Sequence, residues 1–482
     1  MKLETIIYGI PASLPEILDA RSARADRQKE LLSRPGACSL ISFSMNIAGE
    51  IKRFPLALRA FDEGLAKIRT RIPADEILHF EESRENTGPQ AFFLLRADAA
   101  AVKEKMTAIE ESHPLGRLFD IDVLGTDGLS LSRSSIGLSP RSCLICGGNA
   151  KACARNRNHS IELILWRTAQ ILNDYFRNQA ADEAASCAVR ALLYEVSATP
   201  KPGLVDRNNS GSHKDMDFFT FLDSSAALIP WFRELFCIGW DHRDESEEQL
   251  FARLRFAGQE AERGMFKATG GVNTHKGLVF AFAILCGALG KLCAVTDGPP
   301  DSEEVLKICR RLGACSLKDF DVPSGGSSDP AVWNTASKTG NDSRTAGVRQ
   351  HAAYGLTGAR GEAAAGFPSA LSFGLPALKH WLGEGFSLND ASVLALLTIL
   401  SQVDDTNMIH RGGRELALKS KKEAEALLSE ITPDSFKEKL AALDRSFIQK
   451  NLSPGGCADL LAVSLMFYFL ETCGMTSPFN CN

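Results

Sequence analysis

Two aspartates, Asp120 and Asp122 in GRLFDIDVLG, sit two positions apart at the end of an apolar run. On a strand, alternate side chains share one face. Two carboxylates so placed make a hard-oxygen site suited to Mg²⁺, the equipment of phosphoryl or nucleotidyl transfer. The bland alternative is a strand edge with two solvated acids. Further on, PRSCLICGGNAKACARNRNH sets Cys143, Cys146, Cys153 and His159 in a C-x2-C-x6-C-x5-H pattern. Three thiolates and an imidazole form a tetrahedral zinc site, and Gly147-Gly148 allows the tight turn. The alternative is a set of ordinary reduced cysteines beside the basic residues Arg141, Lys151, Arg155 and Arg157, which suit phosphates. Near the N-terminus, Arg21, Arg24, Arg27 and Gln28 recur at helical spacing. Asn46, Gly49 and Lys52 follow an apolar run, where loops carry function.

The later chain offers a different pattern. TPKPGLVDRNNSGSHKDM (Thr199–Met216), GGVNTHKG (Gly270–Gly277), YGLTGARGEAAAGFP (Tyr354–Pro368), QVDDTNMIHRGG (Gln402–Gly413) and NLSPGGCADLLA (Asn451–Ala462) each join glycines to charged or polar residues beside an apolar helix. Backbone and side-chain polar groups in such segments need partners, and five recurrences read as the walls of one site. Lys201, Arg207, Lys214, Lys276, Arg360 and Arg411 are cations for phosphates. Glu195, Asp206, Asp215, Asp217, Glu362, Asp404, Asp405 and Asp459 are carboxylates for metal or proton work. The set suits a polyphosphate substrate with Mg²⁺. The sequence has neither a Walker A motif nor a G-x-G-x-x-G fingerprint, so that substrate is held by other means.

These residues need elements to place them. At roughly 100–200 residues per domain, 482 residues predict two or more domains. A net charge of −5 argues against a bulk nucleic-acid binder. MKLETIIYGIPASLPEILDA lacks a long apolar run, which predicts no signal peptide. With thirteen scattered cysteines, this indicates a reducing cytoplasm. GLVFAFAILCGALG is shorter than the ~20 residues of a membrane span, so a buried helix and no membrane partner are expected. The runs CSLISFSMNI, AFFLLRA and RLFDIDVL read as strands, and DARSARADRQKELLSR as a helix, so the first third is α/β or α+β. IELILWRTAQILNDYF and DEAASCAVRALLYEVS read as two amphipathic helices, with few strands beyond Glu183. The boundary is placed in FRNQAAD, giving domains 1–178 and 179–482. A Gly- and Ser-rich stretch, residues 322–350, is expected to be a lid.

Taken together, the motifs resemble two known families. From about Glu183 onward, TPKPGLVDRNNSGSHKDM, GVNTHKG, GARGEAAAGFP, DDTNMIHRGG and SPGGCADLLA resemble the triphosphoribosyl-dephospho-CoA synthase family of citrate lyase and malonate decarboxylase cofactor synthesis. Upstream, RSARADRQ, SFSMNIAGEIK, GRLFDIDVL and RSCLICGGNAKACARNRNH resemble the apo-citrate lyase phosphoribosyl-dephospho-CoA transferase family. The resemblance covers nearly the whole chain and implies a fused, bifunctional form. It implies a nucleotidyltransferase-type α/β (α+β) domain followed by a mostly α-helical one.

The resemblance also implies two reactions. The second domain would join ATP and 3′-dephospho-CoA and release adenine. The first would attach the product to a serine of the citrate lyase acyl carrier protein and release pyrophosphate. Asp206, Glu362, Asp404 and Asp405 are then expected as catalytic or Mg²⁺-binding carboxylates. Lys201, His213, Lys214, His275, Lys276, Arg360 and Arg411 are expected to bind phosphate. Asp120 and Asp122 would hold Mg²⁺ in the first domain, with Arg24, Arg27 and Lys52 as phosphate ligands. The resemblance leaves zinc at the cysteines open. VDDTNM is also faintly like the acidic motifs of Mg²⁺-dependent ADP-ribosyl-type glycohydrolases, which makes such an enzyme fused to a zinc-ribbon carrier-binding domain the alternative.

Overall fold

The computed structural model describes residues 3–296, 300–318, 355–431 and 436–472. They divide between Gln179 and Ala180 into two compact units. The expected lid at 322–350 lies outside the described residues.

The first unit is α+β. Helix α1 (Leu14–Leu32) begins in a capping box, in which Ser13 Oγ accepts from the Glu16 amide and the Glu16 carboxylate accepts from the Ser13 amide at 2.7 Å. Strands β1 (Ser39–Met45), β2 (Ile77–Glu85), β3 (Gly88–Leu95) and β4 (Phe119–Gly125) form one antiparallel sheet in the order β2-β3-β1-β4. The sheet has two unlike faces. On one, Ile41, Phe43, Phe93, Ile121 and Val123 are buried, with helices α2 (Pro55–Arg71) and α3 (Ala99–Ser112) packed over the sheet. Phe43 stacks on Phe61 of α2 at 4.9 Å between ring centres. On the other, Leu40, Phe92, Leu94 and Leu124 cluster with Leu31 of α1. That face turns polar towards its far end, where register places Ser42 opposite Asp122 and Ser44 opposite Asp120. Three strands, β1, β3 and β4, lie where the short apolar runs predict them. Strand β2 escaped the sequence reading because ILHFEESRE carries charge on both faces of an edge strand, and none of it is fully buried.

A short helix α4 (Ala150–Arg155) precedes α5, which runs unbroken over Ile161–Ser197. The two helices expected there are one, because FRNQAAD holds neither Gly nor Pro and most of its residues favour a helix.

The second unit is helical in all its described elements, beginning with the later part of α5. It contains α6 (Phe218–Asp241), α7 (Glu247–Ala268), α8 (Lys276–Cys293), α9 (Ser302–Leu317), α10 (Gly358–Ala365), α11 (Leu375–Gly383), α12 (Leu388–Gln402), α13 (Thr406–Ser429), α14 (Phe436–Gln449) and α15 (Gly455–Thr472). Helix α8 is central and packs on α6, α7, α9, α10 and α15. Its approach to α6 depends on small residues: a Cβ on Gly239 would stand 2.0 Å from the Gly287 carbonyl oxygen. Helices α8 and α15 are long and apolar enough to cross a membrane, yet 83% and 61% of their apolar windows are buried, as in core helices.

Candidate active sites

In the first unit the polar end of the sheet gathers the residues of the D-x-D motif. Asp120 and Asp122 are exposed on β4, and their outward alternation puts them on the face bearing Ser42, Ser44 and Gln90. Helix α1 lies over it: Arg24 Nε donates to Gln90 Oε1 at 3.0 Å, and Gln28 Nε2 to Ser42 Oγ at 3.0 Å. Ser130 Oγ donates to Asp122 Oδ1 at 3.1 Å. Although its side chain meets solvent, Asp120 is hemmed in by protein. That enclosure, with the charge of Asp122, pushes its carboxyl above the ordinary range against the pull of Arg141, Arg24 and Lys103. Burial lowers Arg24, and the two aspartates oppose the shift. Two crowded carboxylates beside one partly desolvated guanidinium fit a divalent cation with a phosphate ligand. Lys52 donates to the Ile47 carbonyl and is lowered by burial and by the charge of Arg21, so it belongs to a cationic neighbourhood. Arg27 is engaged otherwise, in a two-pronged pair with Glu81 at 2.7 and 2.5 Å.

Sequence reasoning missed what holds the pair. Strand β4 is an edge strand, so Ile121, between the two aspartates, turns backbone groups away from the sheet. Buried Glu110 accepts from the Ile121 amide at 3.3 Å, and buried Lys103 donates to its carbonyl at 3.1 Å. Arg133 bonds Glu110 at 3.2 Å. Gly116 leads into the strand so close to α3 that a Cβ would stand 2.3 Å from the Glu110 carbonyl oxygen. Nothing in KEKMTAIEES signals this role, because it depends on α3 lying beside an edge.

The ligand atoms of Cys143, Cys146, Cys153 and His159 lie within 4.8 Å of one another. Gly147 takes the left-handed conformation the knuckle turn needs (φ +73°), and its amide donates to the Cys143 carbonyl at 3.1 Å. Asn149 caps α4, which carries Cys153. Burial acts upward on the Cys143 thiol, but backbone hydrogen bonds from Cys146 and Ile145 outweigh it and bring it down to about 7.

In the second unit the polar motifs fold onto one another. Lys201 is fully buried, and its ammonium reaches Glu195 Oε1 at 2.5 Å. Asp206 organises its own loop, accepting from the amides of Lys201, Asn208 and Asn209 at 2.9, 2.7 and 3.1 Å. That loop is pinned by Asp444, which accepts from the Gly203 amide at 2.9 Å. His213 bonds Ser453 Oγ at 2.9 Å and lies 3.3 Å from Arg411; burial and the Arg411 charge lower its pKa. Asp405 caps α13 through the amides of Asn407 and Met408 at 2.8 and 2.9 Å, and its other oxygen takes the Cys457 amide at 2.8 Å.

Asp459 feels two other buried carboxylates there, Glu195 of α5 and Asp405 of the loop before α13. Asp459 is raised well above its usual range by burial and by the charges of Glu195 and Asp405. Burial also raises Glu195 and Asp405. Gly277 leaves room for the group, since a Cβ would stand 2.4 Å from Asp459 Oδ2. Neighbouring His275 bonds Ser224 Oγ through Nδ1 at 2.7 Å, while its Nε2 is buried without a partner. Burial, then the charge of Lys201, drives its pKa down to about 3, so the ring is neutral. Lys276 lies 3.5 Å from Glu262, another buried carboxylate missed in the sequence.

Other expected residues stand apart. Asp404 is exposed and paired with Lys421 at 3.3 Å, so it does not share the inward setting of Asp405. Lys214 is exposed. Glu362 holds the turn after α10, accepting from Ser369 Oγ at 2.6 Å, and burial raises its pKa. Arg360, on the same helix, is half-buried.

Comparison with known proteins places both halves. The family model described as ATP:dephospho-CoA triphosphoribosyl transferase matches residues 181–477. The model described as apo-citrate lyase phosphoribosyl-dephospho-CoA transferase matches residues 12–175. Protein CitXG of Leuconostoc mesenteroides subsp. cremoris is 33% identical over 469 residues, covering 95% of this chain and 97% of its own length. This chain belongs to the CitXG family. Protein CitXG of Haemophilus influenzae is 34% identical over 476 residues, 95% of this chain and 96% of its own. The CitG half also matches a separate protein, a probable 2-(5''-triphosphoribosyl)-3'-dephosphocoenzyme-A synthase of Streptococcus mutans. That match is 40% identical over 295 residues, 59% of this chain and 95% of the relative.

Proposed function

We propose that the chain builds and attaches the prosthetic group of citrate lyase, one step in each unit. The observation that carries this reading is the pair of end-to-end family matches, each over a unit with its own carboxylate and cation cluster. In the second unit, the 2′-hydroxyl oxygen of 3′-dephospho-CoA bonds to C1′ of the ATP ribose. The C1′–N9 bond breaks, and the hydroxyl proton is passed on to the departing adenine. The transition state has oxocarbenium character, so carboxylates beside C1′ stabilise it. Glu195, Asp405 and Asp459 are proposed for that role, and Asp206 and Glu362 shape the walls. Lys201, His213, Lys276, Arg360 and Arg411 are proposed to hold the triphosphate, with Lys214 at the solvent edge. Neutral His275 would donate or accept one hydrogen bond rather than act as a cation.

In the first unit a carrier-protein serine oxygen bonds to the α-phosphorus and pyrophosphate leaves. Asp120 and Asp122 would hold Mg²⁺, which neutralises charge on the phosphate oxygens; Arg24 and Lys52 would orient them. Cys143, Cys146, Cys153 and His159 are proposed to hold zinc, with no step of either reaction there. The partner is the acyl carrier protein of citrate lyase, and the cytoplasm is the proposed location.

Incubating the intact chain with ATP, Mg²⁺, 3′-dephospho-CoA and apo acyl carrier protein tests the whole reading. The carrier should gain the mass of phosphoribosyl-dephospho-CoA on one serine, with adenine and pyrophosphate released. Free ribosyl product and an unmodified carrier would favour the glycohydrolase alternative.

A further inference from the structure

From Gly125 to Ser160 no residue is buried as a whole. A segment of that length without a core needs another source of order, and in small modules a metal commonly supplies it. Four soft donors converge in it. A tetrahedral zinc site with Zn–S near 2.3 Å sets its sulfurs ~3.8 Å apart. Cys146 Sγ and Cys153 Sγ stand 3.6 Å apart, and all four ligand atoms lie within 4.8 Å. His159 Nε2 is buried and without a hydrogen-bond partner, the condition of an imidazole awaiting a ligand. Four protein donors close the coordination shell, as in a structural centre.

Residues 129–131 pair with the far end of the D-x-D strand, and Arg141 ties the cysteine knuckle to the backbone that leads into it. Arg141, two residues before Cys143, donates through Nη2 to the carbonyls of Gly116, Arg117 and Phe119 at 2.7, 3.1 and 2.7 Å. Arg117 returns a bond to the Ser142 carbonyl. The Arg141 carbonyl in turn accepts from the Ala150 amide at 2.9 Å, at the start of the helix carrying Cys153. The knuckle therefore fixes Arg141, and Arg141 fixes the backbone entering Asp120.

We infer that Cys143, Cys146, Cys153 and His159 form a structural zinc centre whose task is to position the Asp120–Asp122 strand through Arg141. The functional half of this inference rests on the transfer role proposed for those aspartates. The zinc and the strand order do not, and they can be read without any substrate.

The full chain is purified without chelator, and its metal is measured by mass spectrometry. One zinc per chain is expected, and Co²⁺ put in its place should give thiolate-to-metal charge-transfer absorption. Amide hydrogen exchange is then followed at Phe119–Asp122 before and after chelation and after zinc is restored. Chelation should raise exchange there reversibly, and Arg141→Ala should raise it equally while retaining zinc. Cys146→Ser should lose the zinc; if that variant fails to fold, chelation of the wild type gives the same reading. Substoichiometric zinc after anaerobic reconstitution, or iron in its place, overturns the zinc centre. Stoichiometric zinc whose removal leaves exchange at Phe119–Asp122 unchanged overturns the positioning role. Normal exchange behaviour without carrier labelling would refute the transfer reading and leave the zinc centre and its ordering of the strand standing.

Discussion

Asp120 and Asp405 both carry carboxyls held above their ordinary range, but the two units hold them in opposite ways. Asp405 is buried, and three backbone amides grip its oxygens directly. Asp120 faces solvent, and the rigidity lies in the backbone beside it, through Glu110, Lys103 and Arg141. The difference fits the acceptors each unit is proposed to serve. A small nucleotide can enter a buried carboxylate cluster among helices. A serine on a folded carrier protein cannot, so its phosphate site must sit on an open sheet face. An open face leaves the oxygens free for a metal ion and places the burden of positioning on the main chain.

That contrast can be broken in four places. The largest effect is expected from Asp120→Asn, which should lower carrier labelling by roughly a thousandfold or more, the scale of several kcal/mol of metal-ion stabilisation. Adenine release by the same variant should stay at the wild-type rate; loss of both from a folded protein would end the separation of sites. Next is Lys201→Met, which leaves buried Glu195 without its cation. Breaking such a pair costs about 3–5 kcal/mol, readable as a lower denaturation midpoint for the second unit, with adenine release lost.

His275 gives a smaller and pH-dependent effect. Its folded pKa is depressed to about 3, against an ordinary ~6.5. Between those values the unfolded chain binds the extra proton, so this group's stability contribution is present above about pH 6.5 and shrinks as pH falls. The stability difference between wild type and His275→Asn should therefore change by up to ~1.4 kcal/mol per pH unit below pH 6.5. The raised carboxyls of Asp405 and Asp459 act in the opposite direction but are common to both proteins. A difference that stays flat with pH would mean that the imidazole is solvated. The smallest effect belongs to Arg27→Ala: its pair with Glu81 is partly exposed and screened by solvent, so little change in the denaturation midpoint is expected, with labelling retained. A collapse of labelling would return Arg27 to the phosphate site.

The same contrast explains what the sequence made legible. Local patterns were readable. Short apolar runs gave β1, β3 and β4, and the Cys-His spacing gave the knuckle, because each is a property of neighbouring residues. The different surroundings of Asp404 and Asp405 were not, since adjacent residues before a helix can point opposite ways and only the fold decides which is buried. Glu195, Asp405 and Asp459 were legible only as members of a set of eight carboxylates around one site; that Asp459 feels the other two depends on how three distant segments pack. Lys103 and Glu110 were invisible for a related reason. A buried Lys and Glu on a helix have meaning only once an edge strand lies beside them. The unbroken α5 shows the reverse case: a change of composition across FRNQAAD marks no break in the helix.

The most direct measurement is adenine release from ATP and Mg²⁺ by the intact chain, with and without 3′-dephospho-CoA. Release that requires 3′-dephospho-CoA and matches conjugate formed, one for one, is the predicted result. Equal release in its absence, with water as acceptor, would contradict the synthase assignment and make the second unit a glycohydrolase.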